Sequence, residues 1–152
     1  MNKEFSEIIS KFSILMEELN NSSFIRKDEL GNLPKQGIYV FYNEKGIALY
    51  VGRSKRLGAR LKEHGQPSSG HTSATLAFNN AKRIAKERGL NIDRRRRDLE
   101  SDLAFSKLYQ QEKDRVSKMQ IKVIGIEDPI VRTLFELYVH LELKTDNKWI
   151  EH

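Results

Sequence analysis

The sequence predicts an α+β domain in which a small, mainly antiparallel three-stranded sheet is covered by helices. Three observations carry this reading. Residues 37–42 (GIYVFY) and 47–51 (IALYV) are β-rich runs on either side of Asn43-Glu44-Lys45-Gly46, the composition of a hairpin with a four-residue loop. Residues 119–127 (MQIKVIGIE) alternate well enough for a third, buried strand. Elsewhere the apolar residues recur at helical spacing. At 152 residues the chain has room for one domain, and enough core to fold without metal or disulfide staples. Cysteine is absent, which excludes disulfides, cysteine-ligated zinc or iron–sulfur and thiol catalysis.

At the N-terminus, Phe5, Ile8, Ile9, Phe12, Leu15, Met16 and Leu19 predict one amphipathic covering helix over 3–19, inside a helical extension spanning 1–33. Glu4, Glu7, Lys11, Glu17 and Glu18 interrupt any apolar run there, so a cytoplasmic rather than a secreted protein is expected. No stretch approaches the roughly 18 apolar residues of a membrane span. After the hairpin, Leu57 and Leu61 anchor a short helix near 55–64. A second helix is expected over 72–88, with Thr72 or Ser73 as N-cap and Gly89 as its stop. A third runs from 94–98 to 117 with Leu99, Leu103 and Leu108 inward, so that 65–118 reads as a basic helical insertion. Asp128 as N-cap and Pro129 at the first position then open a final helix. Its helical wheel puts Ile130, Leu134, Leu137 and Leu141 on the core stripe. Arg132, Thr133, Glu136 and His140 form a polar stripe roughly opposite, flanked by Phe135 and Val139.

Lys and Arg number 27 against 21 Asp and Glu, a net charge of +6 that is unevenly placed. Residues 82–97 carry eight basic and two acidic residues, and 52–62 carry five basic residues and no acid, leaving the rest of the chain at −5. Such asymmetry suits a polyanion, because phosphate neutralisation by Lys and Arg drives sequence-independent nucleic-acid binding; a solvated helix face has the same composition. The candidate DNA contacts are Arg53, Lys55, Arg56, Arg83, Arg94, Arg95, Arg96 and Arg97. If the third helix begins near Arg94, each of the last four sits at its positive dipole end at a cost of roughly 0.3–1 kcal/mol. A start at Asp98 leaves them outside the helix. Either way the run is expected to be exposed and without a structural job.

If residues 42 and 47 close the hairpin, Tyr39 stands directly opposite Tyr50, and two phenols share one face about 4.5–5.5 Å apart at Cβ. They are expected to point towards Arg60 and Glu136. Arg56, Arg60 and His64 follow at i, i+4 and i+8 on one helix face. A guanidinium fork beside an imidazole suits a phosphodiester. Glu136, held between two apolar margins of the last helix, is the candidate carboxylate.

These positions resemble the GIY-YIG nuclease family: Gly37-Ile38-Tyr39 is its literal first triplet, and Tyr50-Val51-Gly52 stands for the second. Arg60, His64, the helical Glu136 and Asn147 follow in the family's order. The tail DNKWIEH and the segment GHTSATLAF at 70–78 are similar to small stand-alone, restriction-type members. The resemblance covers 37–64 and 119–152, while the long basic stretch between His64 and Glu136 departs from the smallest members. It implies a metal-dependent DNA endonuclease that uses a single divalent cation, Mg²⁺ or Mn²⁺, bound by Glu136. Tyr39 would take the proton of the attacking water and Arg60 would stabilise transition-state charge. Tyr50 and His64 would position or relay, and Asn147 would brace the site. No role follows for His71 or His140. Two other readings stand beside it, a non-catalytic nucleic-acid-binding module on the same fold and a structure-specific DNA repair nuclease. One active site per chain means that double-strand cleavage needs a homodimer or two successive nicks.

Overall fold

A computed structural model describes residues 1–70 and 73–145. The chain forms two compact units, one built from Met1–Gly58 with the chain from Gln120 onward, the other from Ala59–Met119.

The first unit holds the sheet. Strands β1 (Gly37–Tyr42), β2 (Ala48–Ser54) and β3 (Gln120–Gly125) lie in the order β2-β1-β3, both pairings antiparallel. Every residue of the central β1 is buried. Ile38, Val40, Val51 and Ile124 share one face, and helices α2 (Phe12–Asn21) and α7 (Pro129–Leu143) pack on it through Phe12, Met16, Leu19, Phe135 and Val139. Each such side chain contributes about 1.5–3 kcal/mol by leaving water. Tyr39, Phe41 and Tyr50 occupy the opposite face, as the register requires.

The N-terminal helix is not continuous. It divides into α1 (Lys3–Ile9) and α2, because Ser10 closes α1 and its hydroxyl bonds the Glu7 carbonyl at 2.7 Å. None of α1 is fully buried, whereas the break lets α2 lay its own apolar face on the sheet.

The hairpin register also differs from expectation. Phe41 pairs with Tyr50, but Tyr42 pairs with Ala48, so Leu49 is an extra residue that bulges the strand. Asn43 organises the turn. Its side-chain oxygen accepts from the backbone N–H of Lys45 and Ile47 at 2.9 and 3.0 Å, while Gly46 takes a left-handed φ of 75°. Tyr39 therefore faces Gly52 instead of Tyr50.

Helix α7 starts as the sequence predicts. The Asp128 carboxylate accepts from the N–H groups of Ile130 and Val131 at 2.8 and 3.2 Å, and Pro129 takes the first turn. The face it buries is the reverse of the expected one. Phe135 and Val139 are in the core together with Arg132, Glu136 and His140, whereas Ile130, Leu137 and Leu141 are exposed. Aromatic fit decides this, since Phe135 lies 5.4 Å from Phe12 and stacks on Tyr138. The polar groups are buried with partners, which removes the main cost of burying them. The Arg132 guanidinium donates to Gln36 and to the carbonyls of Ile126 and Glu127 at 3.0–3.1 Å. His140 Nδ1 meets the Thr145 hydroxyl at 2.6 Å, giving that imidazole a place at the helix end.

The second unit is helical. Most of α3 (Leu57–His64) belongs to it, with α4 (Thr75–Glu87), α5 (Arg96–Ser101) and α6 (Leu103–Ser117). Phe78, Phe105 and Tyr109 form its aromatic centre, with ring centroids 5.3–6.2 Å apart. Helix α4 begins after Ala74 with no side-chain cap; of the two expected caps, Ser73 makes none, and Thr72 lies outside the described residues. Gly89 ends it in a left-handed conformation, φ 80°. The single helix expected up to residue 117 breaks at Asp102, which ends α5 and caps α6 by accepting from Phe105 N–H at 3.1 Å. Leu99 and Leu108 point inward, but Leu103, now at the start of α6, is exposed.

Candidate active site

Tyr39 and Tyr50 are diagonal neighbours on one sheet face, with ring centroids 6.2 Å apart and planes inclined by 32°. Both are buried, and Phe41 meets the Tyr39 ring edge-on at 5.8 Å. Gly52, directly across from Tyr39, explains the geometry. The tyrosine ring lies over it so closely that a Cβ at residue 52 would overlap the phenol's Cζ and oxygen. The glycine of the second triplet is thus the bed in which the first triplet's tyrosine lies.

Glu136 comes from α7, on the other face of the sheet, and not from the face the tyrosines occupy. Glu136 is 2% exposed, and its carboxylate is held by the Arg53 guanidinium at 2.6 Å. Burial pushes the Glu136 carboxyl up from its ordinary pKa, and Arg53 pulls it only part of the way back. Arg53 follows Gly52 on β2, an edge strand of the sheet. Phenol and carboxylate therefore reach consecutive residues of one strand from its two sides.

In the second unit, Arg60 donates to the Ser73 carbonyl at 2.7 Å and to Glu63 at 3.3 Å, which fixes its guanidinium. His64 is fully buried. Burial first and the Arg60 charge second hold its pKa well below the usual imidazole value, so it is neutral at pH 7. Arg56 does not share this helix face, because α3 starts one residue after it and its N–H is taken by the Ser54 hydroxyl at 2.9 Å.

The basic residues differ in their surroundings. Lys55, Arg56 and Arg97 are exposed. Arg83 pairs with Glu87 at 3.3 Å, Arg94 with Asp102 at 3.0 Å and Arg95 with Asp98 at 3.3 Å, while Arg96 lies 5.8 Å over the Phe78 ring. Three members of the arginine run thus have structural partners, contrary to expectation, because α5 begins at Arg96 and turns the acids of its own first turn and of its end towards them. Arg53, expected as a DNA contact, is the partner of Glu136. No local pattern could announce a pair 83 residues apart. Asn147 and His71 lie outside the described residues.

No group of three or more acidic, His or Cys side chains gathers for a metal among the described residues. The Glu136 carboxylate is a hard oxygen donor of the kind Mg²⁺ takes, but it is buried and paired with Arg53, so holding a hydrated cation would require the half-exposed Arg53 side chain to give way. Within the first unit a phenol and a buried carboxylate meet on β2, and with no thiol in the chain these groups suit hydrolytic chemistry. More narrowly, residues 35–114 match the GIY-YIG catalytic domain, over half of the chain, and the chain belongs to that family. The match includes Tyr39, Tyr50, Arg60 and His64 and ends before Glu136. No curated protein and no solved structure matches it. Family membership carries nuclease activity on DNA and a general dependence on divalent metal.

Proposed function

We propose that this protein is a restriction-like DNA endonuclease, working with one Mg²⁺ or Mn²⁺ ion. The supporting observation is the meeting of Tyr39 with Gly52, and of Glu136 with Arg53, on adjacent residues of β2. Glu136 would hold the cation, which supplies Lewis-acid stabilisation at the scissile phosphate. Tyr39, as the phenolate, accepts the proton of the water whose oxygen attacks phosphorus; the leaving P–O bond breaks and its oxygen takes a proton from solvent. A phenol ordinarily titrates near pKa 10, so its ionised form depends on nearby positive charge. Arg60, fixed by the Ser73 carbonyl, stabilises the charge that develops on the phosphoryl oxygens. Tyr50 packs beside Tyr39 and orients it, and neutral His64 acts as a positioning group. Asn147, outside the described residues, would brace the site. The helical stretch 65–118, with Lys55 and Arg56, provides phosphate contacts.

Supercoiled plasmid incubated with and without Mg²⁺ tests this. Wild-type protein should nick or linearise it only with the metal, while Glu136→Gln should bind and not cut. Turnover by Glu136→Gln within about tenfold of wild type, only ~1.4 kcal/mol of barrier, would remove Glu136 from the mechanism. Binding without cleavage by the wild type would favour a non-catalytic module.

A further inference from the structure

The ion pair that ties down Glu136 joins two residues of unequal freedom. Glu136 is set in the buried face of α7, with a carboxylate oxygen 2.6 Å from the Arg53 guanidinium. The helix itself does not supply a second partner. Arg132, one turn earlier, is buried and commits its guanidinium to Gln36 and to the carbonyls of Ile126 and Glu127. His140, one turn later, is turned to the Thr145 hydroxyl. Arg53 is not confined in this way. It stands near the end of the edge strand β2 with its side chain 47% exposed, and exposed Lys55 and Arg56 follow it along the chain. The carboxylate cannot move without its helix, whereas the guanidinium can swing out on its flexible stem.

We propose that Arg53 is a gate on Glu136: it covers the carboxylate in the free protein, and a DNA phosphate draws it off, leaving Glu136 to the divalent cation. This deepens, and rests on, the reading of Glu136 as the cation's ligand. The chemistry is an exchange of like partners. A guanidinium fork fits a phosphate as well as it fits a carboxylate. Guanidinium and metal ion cannot share one buried carboxylate, because both seek the same negative charge and repel each other where water screens poorly. Metal and DNA therefore both favour the state in which Arg53 is released, and by linkage each tightens the binding of the other. The cation is taken up where a phosphodiester already lies along β2. Arg53 is then a carboxylate partner and a DNA contact in turn.

Two binding measurements, neither of which involves cleavage, test the gate. In the first, Mn²⁺ is titrated into protein without DNA, and the free ion is followed by its paramagnetic resonance signal. Arg53→Gln should bind Mn²⁺ roughly tenfold more tightly than wild type. Arg53→Lys keeps the charge but lacks the fork and the reach. It should also bind Mn²⁺ more tightly, which separates release of the carboxylate from loss of repulsion, and it serves alone if Arg53→Gln does not fold. Adding Glu136→Gln to either variant should abolish the binding. In the second measurement, duplex DNA is bound in EDTA. Glu136→Gln should bind roughly fivefold more tightly than wild type because its arginine is released, and that gain should vanish when Arg53→Gln is added. If the Arg53 variants bind Mn²⁺ no more tightly than wild type while Glu136→Gln removes the site, the ligand stands and the gate is refuted. If Mn²⁺ binding survives Glu136→Gln, the reading of Glu136 falls and the gate falls with it. A gain in DNA affinity that persists in the double variant means plain carboxylate–phosphate repulsion and refutes the exchange.

Discussion

At Gly52 a single methyl group should decide both stability and activity. Tyr39 is enclosed on its other sides and cannot withdraw from a new Cβ without disturbing Phe41 and Tyr50. Overpacking of this kind costs about 1–3 kcal/mol. A phenol misplaced by an ångström loses about a hundredfold in rate. Gly52→Ala should therefore melt lower and cleave plasmid about a hundredfold more slowly; cleavage at the wild-type rate would show that the ring's position over Gly52 does not matter. Glu136 carries a second prediction with a definite sign. Its folded pKa is raised above the ordinary 4.5, so the folded chain holds that proton more tightly than the unfolded chain does. Stability from this group is present below the ordinary value and is lost as pH rises through the raised one. In metal-free buffer, Glu136→Gln should lack that decline and melt above wild type at neutral pH. Parallel melting curves across the acidic range would mean that Glu136 titrates normally.

Among the elements, α7 shows how a well-signalled start can accompany a misread face. Asp128-Pro129 is a local instruction, and Asp128→Ala should cost about 1 kcal/mol, readable as a lower Tm without change of fold. An unaltered Tm would deny the cap its role. The inward face is another matter. Both sides of this helix carry large apolar residues, and the choice fell to the side whose Phe135 fits Phe12 and whose Arg132 meets three acceptors. The hairpin teaches the complementary lesson. The pairing differs by two residues from the register predicted at Tyr39, and an even shift preserves which face each side chain takes. The tyrosines are consequently neighbours on one face, though diagonal and not opposed. The apolar spacing runs on across Ser10 and Asp102 and marks neither break: the Ser10 hydroxyl bonds back to the last turn of α1, and the Asp102 carboxylate caps the first turn of α6.

At the scale of the whole molecule, the positive charge stays on the surface even where it is paired. Arg94 and Arg95 are tied to acids near α5 and, like Lys55, Arg56 and Arg97, are exposed. Surface ion pairs are weak, about 0–1 kcal/mol, and phosphate can draw their arginines away. Replacing Arg94, Arg95, Arg96 and Arg97 together with Gln should weaken binding similarly across DNA sequences. It should also flatten the dependence of log K on log salt by up to about 0.9 per lost phosphate contact. The same variant should lose some stability, since Arg96 covers Phe78 and Arg94 holds Asp102. A wild-type affinity and salt slope would move the DNA path to Lys55 and Arg56.

The sequence by itself determined the class of fold, the hairpin, the cap of α7 and the motif that places the chain among GIY-YIG domains. Each depends on residues close in the chain, where backbone geometry and side-chain period act directly. Only the tertiary structure decided that Glu136 is held by Arg53, that Gly52 beds Tyr39, and that α7 turns its leucines outward. Those outcomes rest on contacts between distant segments, where one face of a helix wins over another by shape and by the partners its polar groups find, and neither is written in the period of a single helix.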